Sequence, residues 1–391
     1  MADELRFRRL REAMQRERLD ALVCRLPEHV LMLTGYWPLC SWVQAVFPLE
    51  GEGVCILPDT EVEEASAGLF GTRCLTYPFG TKDSPEQSES LLRLMKPLAR
   101  GWKRVGWEAS SDLSAPAWNA AEMQMPSARS RALLERAFGA RPLVDASGLL
   151  RSEQAVKTPP EIEGVRKANR IANLGIEEFF HKTAPGTSGV ELAAAVEAAV
   201  MVQGTGFEGA RCVRAFAQVA VGEESARGWR PAEVSTTRRL ARGEIALLEL
   251  AVVADGFWCD RTRARTAGEP TSAQREARDL VARAQAAAIA AVRPGVTGAE
   301  VDEAARRPIR EAGRDRQFMH ITGHGLGYRY HEYSPMLAPR SPDVLRAGMT
   351  HSVEPGVYDR SFGGIRIEDD VLVTDAGAEV LGPAAAELWT A

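Results

Sequence analysis

The sequence predicts an α+β protein of two domains: a smaller α/β unit over residues 1–152 and a larger domain over 153–391 built from two like halves. Three observations carry the prediction. A chain of 391 residues is too long for one ordinary core. Its early part alternates helix-like and strand-like runs. Later, Pro185-Gly186-Thr187-Ser188-Gly189-Val190-Glu191 is echoed by Pro294-Gly295-Val296-Thr297-Gly298-Ala299-Glu300. In each copy a long helix ends, Pro-Gly turns the chain, and Ser188 or Thr297 caps the next helix with a glutamate three residues on. Strand-like runs follow both copies, so duplication is the better explanation, and two such halves offer a cleft for a ligand.

Taken in order, the first 20 residues read as a charged amphipathic helix, ending near Arg18, without the apolar core of a signal peptide. Asp20–Cys24 and Gly53–Leu57 read as strands. No clustering of catalytic residue types is evident in this region, and its one histidine, His29, reads as a surface or packing residue. A boundary falls near 150–160, where Thr158 can cap a helix, Pro159 suits its first position and Glu161 completes a capping box. That helix continues through Ile162, Val165, Ala168, Ala172, Ile176 and Phe179 at helical spacing.

Composition excludes several classes of function. Net charge is −5 and acids interleave with arginines, so no basic stripe for nucleic acid forms. The most apolar helix, Ala286–Val292, is too short to span a bilayer. Six scattered cysteines suit neither a disulfide framework nor a thiolate zinc site, and a cytoplasmic protein is expected.

Five potential metal ligands follow in the order Glu249, Asp260, His324, Glu354 and Glu368. Carboxylates with one imidazole suit a hard or borderline divalent ion, and so many negative charges suit a pair of ions about 3.5–4 Å apart. Residues 246–262 read as a β-hairpin turned by Asp255-Gly256, which sets Glu249 opposite Thr262 with Asp260 on the same face. Glu249 has apolar neighbours on both sides, so it needs a metal or a cation, an arginine being the simplest alternative. His324 lies among glycines in Gly323-His324-Gly325-Leu326-Gly327, with His320 and His331 nearby. His320 reads equally well as a packing residue. Glu354 precedes Pro355-Gly356, and Glu368 is followed by Asp369 and Asp370, among which pattern alone does not choose. His351 looks like a strand residue without a role.

These motifs together resemble the pita-bread-fold metallopeptidases, which include proline dipeptidase, aminopeptidase P and methionine aminopeptidase. Arg9 to Leu22 and Leu33-Thr34-Gly35-Tyr36 are similar to the creatinase-like N-terminal domain of the proline-specific members, so the resemblance spans nearly the whole chain. It implies hydrolysis of Xaa-Pro peptide bonds in a dipeptide or peptide with proline second, by one or two divalent ions per subunit (manganese, cobalt, zinc or iron), in a homodimer. It further implies that Asp260 and Glu368 bridge two ions, that His324 and Glu354 complete one shell, and that Glu249 stands where an aspartate completes the other. Glu354 handles the proton, His331 contacts the substrate and stabilises the tetrahedral intermediate, and His320 and Arg366 join it in holding the substrate.

Two departures stand out. The extra carbon–carbon bond of Glu249, about 1.5 Å, is large beside a ligand tolerance of roughly 0.2 Å, so the ion it serves should be weakened. The family's histidine upstream of the first acid is missing: residues 227–232 contain none, nor does any position from 182 to 319. Other readings are a metal-free creatinase-like hydrolase, which has little need for the ligand set, and a non-catalytic binding module, which commonly loses it.

Overall fold

The computed structural model describes residues 3–38, 42–66, 69, 71–79, 84–111, 125–230 and 234–382. Cys40, Pro231 and Ala232 lie outside the described residues. The chain divides into two compact units, the first ending at Gln154 and the second beginning at Ala155.

The first unit is a six-stranded sheet with helices. In chain order it runs α1 (Glu4–Glu17), β1 (Ala21–Cys24), α2 (Pro27–Thr34), β2 (Gln44–Pro48), β3 (Gly53–Pro58), α3 (Val62–Ser66), β4 (Thr72–Tyr77), α4 (Gln87–Leu98), β5 (Val105–Trp107), α5 (Ala128–Phe138), β6 (Leu143–Asp145) and α6 (Ser147–Ala155). The strand order is β4-β3-β2-β1-β5-β6. β1, β5 and β6 are parallel neighbours, whereas β2 runs antiparallel to β1 and β3. Every residue of β1 and β3 is buried, which accounts for their continuous apolar runs.

The second unit begins with α7 (Pro159–Lys182), α8 (Gly189–Gly204), β7 (Val213–Val221), β8 (Ile245–Ala254) and β9 (Phe257–Thr266). It continues with α9 (Ser272–Ala291), α10 (Gly298–Glu311), β10 (Gly323–Gly325), β11 (Glu332–Leu337), β12 (Thr350–Val353), β13 (Gly356–Asp359), β14 (Gly363–Arg366), β15 (Asp369–Thr374) and β16 (Gly377–Val380). The capping box at Thr158 forms as expected, the Glu161 carboxylate accepting from the Thr158 N–H at 2.8 Å. Along α7, Val165, Ala168, Ala172, Ile176 and Phe179 are buried and Ile162 is half-buried, in keeping with the helical spacing.

The repeat seen in the sequence is a repeat in space. Ser188 and Thr297 both head capping boxes with Glu191 and Glu300. Ser188 bridges Arg239, and Thr297 bridges Val344. The Gly186 N–H donates to Leu240 O at 2.8 Å and its counterpart Gly295 to Leu345 O at 2.9 Å. Each half lays a helix pair on its own sheet. α7 and α8 cover β7-β8-β9 around Ile171, Val196 and Leu248, and α9 and α10 pack around Val281, Val301 and Val353 near the sheet β11-β10-β12-β15-β16. The halves join where Glu368 donates its N–H to Thr262 O at 3.2 Å, bridging β9 to the turn between β14 and β15. Among the described residues, no helix is long and apolar enough to cross a membrane.

Candidate metal centre

Each ligand candidate is placed by a local feature of the sequence. The β8–β9 hairpin has the expected two-residue turn, with Asp255 and Gly256 at φ of 51° and 92°, a conformation that glycine adopts freely and aspartate tolerates. Its register pairs Glu249 with Thr262 and Ala251 with Asp260, so Glu249, Thr262 and Asp260 share a face. His324 is the middle residue of β10, and the glycines beside it are steric necessities. A Cβ at Gly323 would lie 2.1 Å from Ser352 O, and one at Gly325 would lie 2.4 Å from Ser334 O. β11 and β12 therefore press onto β10 closely enough to hold the imidazole. Glu354 follows β12, its N–H donating to Thr322 O at 2.8 Å.

Asp260, His324, Glu354 and Glu368 are all buried. His324 Nε2 lies 3.4 Å from Asp260 Oδ2 and 3.9 Å from Glu354 Oε1. The Nδ1 of His324 faces the Gly325 carbonyl at 3.0 Å; a carbonyl only accepts, so Nδ1 donates there and Nε2 faces the acids. Asp260 Oδ1 and Glu368 Oε1 are buried without a hydrogen-bond partner. Burial, reinforced by Glu368 and Asp370, raises the Asp260 carboxyl well above its usual range. Burial, reinforced by Glu368 and Asp260, does the same to Glu354. Carboxylates crowded in this way are strained by mutual repulsion, and a cation relieves both the repulsion and the orphaned oxygens. Potential ligand atoms lie within 4.8 Å of one another in three overlapping groups: His324, Glu354 and Glu368; Asp260, His324 and His331; and Glu249, Asp260 and Glu368. The residues present fit a divalent metal.

The three consecutive acids are separated by their partners. Asp369 is spent on Arg261 and Arg263, at 2.7 and 2.6 Å. Asp370 accepts from Asn169 at 2.8 Å and from the Asp260 N–H at 3.1 Å. Glu368 takes the Thr262 hydroxyl at 2.6 Å and keeps its other oxygen for the cluster.

Around this core, His331 is half-buried, its ring 4.3 Å from that of His324 and 4.2 Å from that of Tyr330. His320 is turned inward. Its Nδ1 donates to Ile321 O at 2.8 Å, and its Nε2 accepts the Tyr358 hydroxyl at 2.9 Å, with Glu354 Oε2 3.8 Å from Nδ1. Burial lowers its pKa to about 4, which keeps the ring neutral. Arg366, expected as a substrate contact, is also buried: it ion-pairs with Glu249 and donates from Nε to Thr262 Oγ1 at 3.0 Å. Glu249 thus has the arginine partner that its apolar neighbours left open, and Tyr330 donates its hydroxyl to it at 2.9 Å. Where the upstream histidine is missing, Trp229 packs against the core of the second half.

Sequence reasoning missed Thr262, Tyr330 and Tyr358, ordinary residue types given meaning only by their neighbours. It also missed a cluster in the first unit, which corrects the expectation that none exists there. Cys24, His29 and Glu108 bring potential ligand atoms within 4.8 Å of one another. His29 is fully enclosed, with Nδ1 2.6 Å from Glu108 Oε2, and Glu108 Oε1 accepts the Arg25 and Leu26 N–H groups at the start of α2. A contact bridging 79 positions leaves no local signal.

An oxygen-rich donor set with one imidazole, held in a pseudo-twofold α+β domain, is that of a divalent-metal hydrolase. The chain belongs to metallopeptidase family M24, whose profile matches residues 163–375, and the Creatinase/Prolidase N-terminal domain matches residues 6–153. It is 28% identical over 379 residues to an uncharacterised peptidase of Staphylococcus saprophyticus, covering 96% of this chain and 99% of that one. It is 33% identical over 240 residues to a Xaa-Pro dipeptidase of Pyrococcus furiosus, covering 61% and 66%. Among solved structures, a Xaa-Pro dipeptidase from Bacillus anthracis is similar with a TM-score of 0.79 at 26% identity, covering 97% of this chain and 98% of that one. A prolidase from Pyrococcus horikoshii is similar with a TM-score of 0.76 at 25% identity, covering 96% and 97%.

Proposed function

We propose that this metallopeptidase hydrolyses the Xaa–Pro bond, acting as an Xaa-Pro dipeptidase or an Xaa-Pro aminopeptidase. The observation that carries the reading is that buried Asp260 and Glu368, each with one orphaned carboxylate oxygen, meet His324 and Glu354 in overlapping groups whose ligand atoms lie within 4.8 Å of one another. Asp260, His324, Glu354 and Glu368 would hold the ion. When bound, a divalent ion polarises the scissile carbonyl and makes water acidic enough to lose a proton near neutral pH.

The chain's own residues do the rest. Glu354, with its carboxyl raised by burial and by its acidic neighbours, accepts the proton of the attacking water and returns it to the leaving proline nitrogen. His331, half-buried beside His324, donates a hydrogen bond to the substrate oxygen as negative charge develops there. His320 and Arg366 act from behind, His320 by holding Tyr358 beside Glu354, and Arg366 by holding Glu249. The Xaa–Pro amide has no N–H, so the pocket needs no acceptor at that position.

The same proposal takes manganese, cobalt, zinc or iron as the ion, a homodimer as the assembly and the cytoplasm as the location. The free thiols of Cys24, Cys55, Cys74, Cys212 and Cys259 support a reducing compartment, and sedimentation in solution tests the dimer. Activity is tested with metal-loaded enzyme on Xaa-Pro dipeptides and tripeptides. Glu354→Gln should lower kcat by about 10²–10⁴-fold with an unchanged circular-dichroism spectrum. Failure of the loaded parent to release proline or the N-terminal residue from either substrate class overturns the reading.

A further inference from the structure

Glu249 and Arg366 are spent on each other. We propose that the Arg366 guanidinium is a built-in cation standing in for a second metal ion, so that the centre holds one tightly bound divalent ion per chain, against Asp260, His324, Glu354 and Glu368. The inference rests on the metallopeptidase reading above and deepens it.

Both oxygens of Glu249 are occupied. Oε1 accepts the Tyr330 hydroxyl at 2.9 Å, and Oε2 pairs with Arg366 Nη2. The rest of the guanidinium is fixed as well: Nε donates to Thr262 Oγ1 at 3.0 Å, and Nη1 lies 3.3 Å from the Tyr358 hydroxyl and 3.4 Å from Gly228 O. Nε also lies 3.8 Å from Glu368 and 3.9 Å from Glu354, so the guanidinium sits among the very carboxylates that a second ion would have to neutralise.

Glu249 does come close enough to Asp260 and Glu368 to complete a second group of ligands. An ion drawn there must compete with Arg366, whose side chain is 5% exposed, for the Glu249 carboxylate. A buried charge stripped of its partner is far more costly than the pair itself, so this competition opposes binding of the second ion. The longer glutamate fits this arrangement, because its extra bond carries the carboxylate away from the β8 backbone.

The test reads metal rather than activity. Purified full-length protein is loaded with Mn²⁺, dialysed against metal-free buffer and assayed for metal content, with calorimetric titration of Mn²⁺ alongside. One ion per chain should remain, and any second should bind weaker by a factor on the order of 100 or more, the equivalent of breaking a buried ion pair. Electron paramagnetic resonance of the loaded protein should show an isolated Mn²⁺ ion. Glu249→Gln, which keeps shape and removes the charge, should retain one ion at unchanged affinity. Arg366→Gln should free Glu249 and raise the retained content toward two. Two tightly held, spin-coupled ions in the parent overturn the inference while leaving the peptidase reading intact, and so does loss of the tight ion in Glu249→Gln. A folded parent that retains no ion overturns the metallopeptidase reading itself, and the inference with it.

Discussion

His351 occupies β12 opposite Gly325, one strand from His324. Its ring is fully enclosed; Nδ1 donates to Ser352 O at 3.0 Å, and Nε2 has no hydrogen-bond partner. Burial lowers its pKa from 6.5 to about 4, with His324 and Lys157 pushing the same way. The native ring is therefore neutral at a pH where the unfolded ring takes up a proton. The stability this confers is fully present above the unfolded value and is lost as pH falls from about 6.5 to about 4, amounting to on the order of 3 kcal/mol. Urea unfolding of metal-free protein at pH 7 and pH 4.5 should show a smaller difference for His351→Leu than for the parent; equal differences would refute the assignment. At this scale the sequence was legible wherever one local rule applied. The Asp255-Gly256 turn set the register that brings Glu249 and Asp260 to one face. It was illegible where distant partners decide: Arg261, Arg263 and Asn169, all about 100 or more positions away, withdraw Asp369 and Asp370 and leave Glu368.

The duplicated helix starts show how tightly the elements are fitted. Gly189 and Gly298 open α8 and α10, and each lies beneath a backbone carbonyl. A Cβ would come 2.6 Å from Val219 O at the first and 1.9 Å from Met336 O at the second. Gly148, in the first turn of α6, has nothing within 4 Å of its Cβ position. Gly298→Ala should therefore cost about 1–3 kcal/mol through displaced backbone. Gly148→Ala should be neutral or stabilising by up to about 1 kcal/mol, because alanine loses less backbone freedom on folding. Thermal denaturation of both variants checks the contrast, and equal melting temperatures would contradict it. Helices and their caps were readable because each signal lies within one turn of the chain. The short strands β10, β13 and β14 were not, since three or four residues carry no period and their pairing is entirely non-local.

At the scale of the whole chain, each compact unit has its own core, and the centre belongs to the second. The candidate ligands divide by half. Asp260 rises from the hairpin of the first half, as does Glu249, whereas His324 comes from β10 of the second half and Glu354 and Glu368 from the turns after β12 and β14. The duplication was visible in the sequence, and it foretold a cleft without saying which residues would meet there. Those were reached through motifs and a family resemblance, because contacts between halves are set by packing rather than by neighbours in the chain.

The segment joining the halves, from Gly268 to Thr271, is largely exposed and precedes α9. A protease site inserted there would yield two fragments that each contribute residues to the proposed metal site. The ion then works as a fastener, and its concentration becomes a dial on fragment association. Added at 100 times its dissociation constant, it should strengthen the nicked complex by about 2.7 kcal/mol. A chelator should return that amount, read as a shift in the urea midpoint at which the fragments separate; an unmoved midpoint would mean the ion touches one half alone.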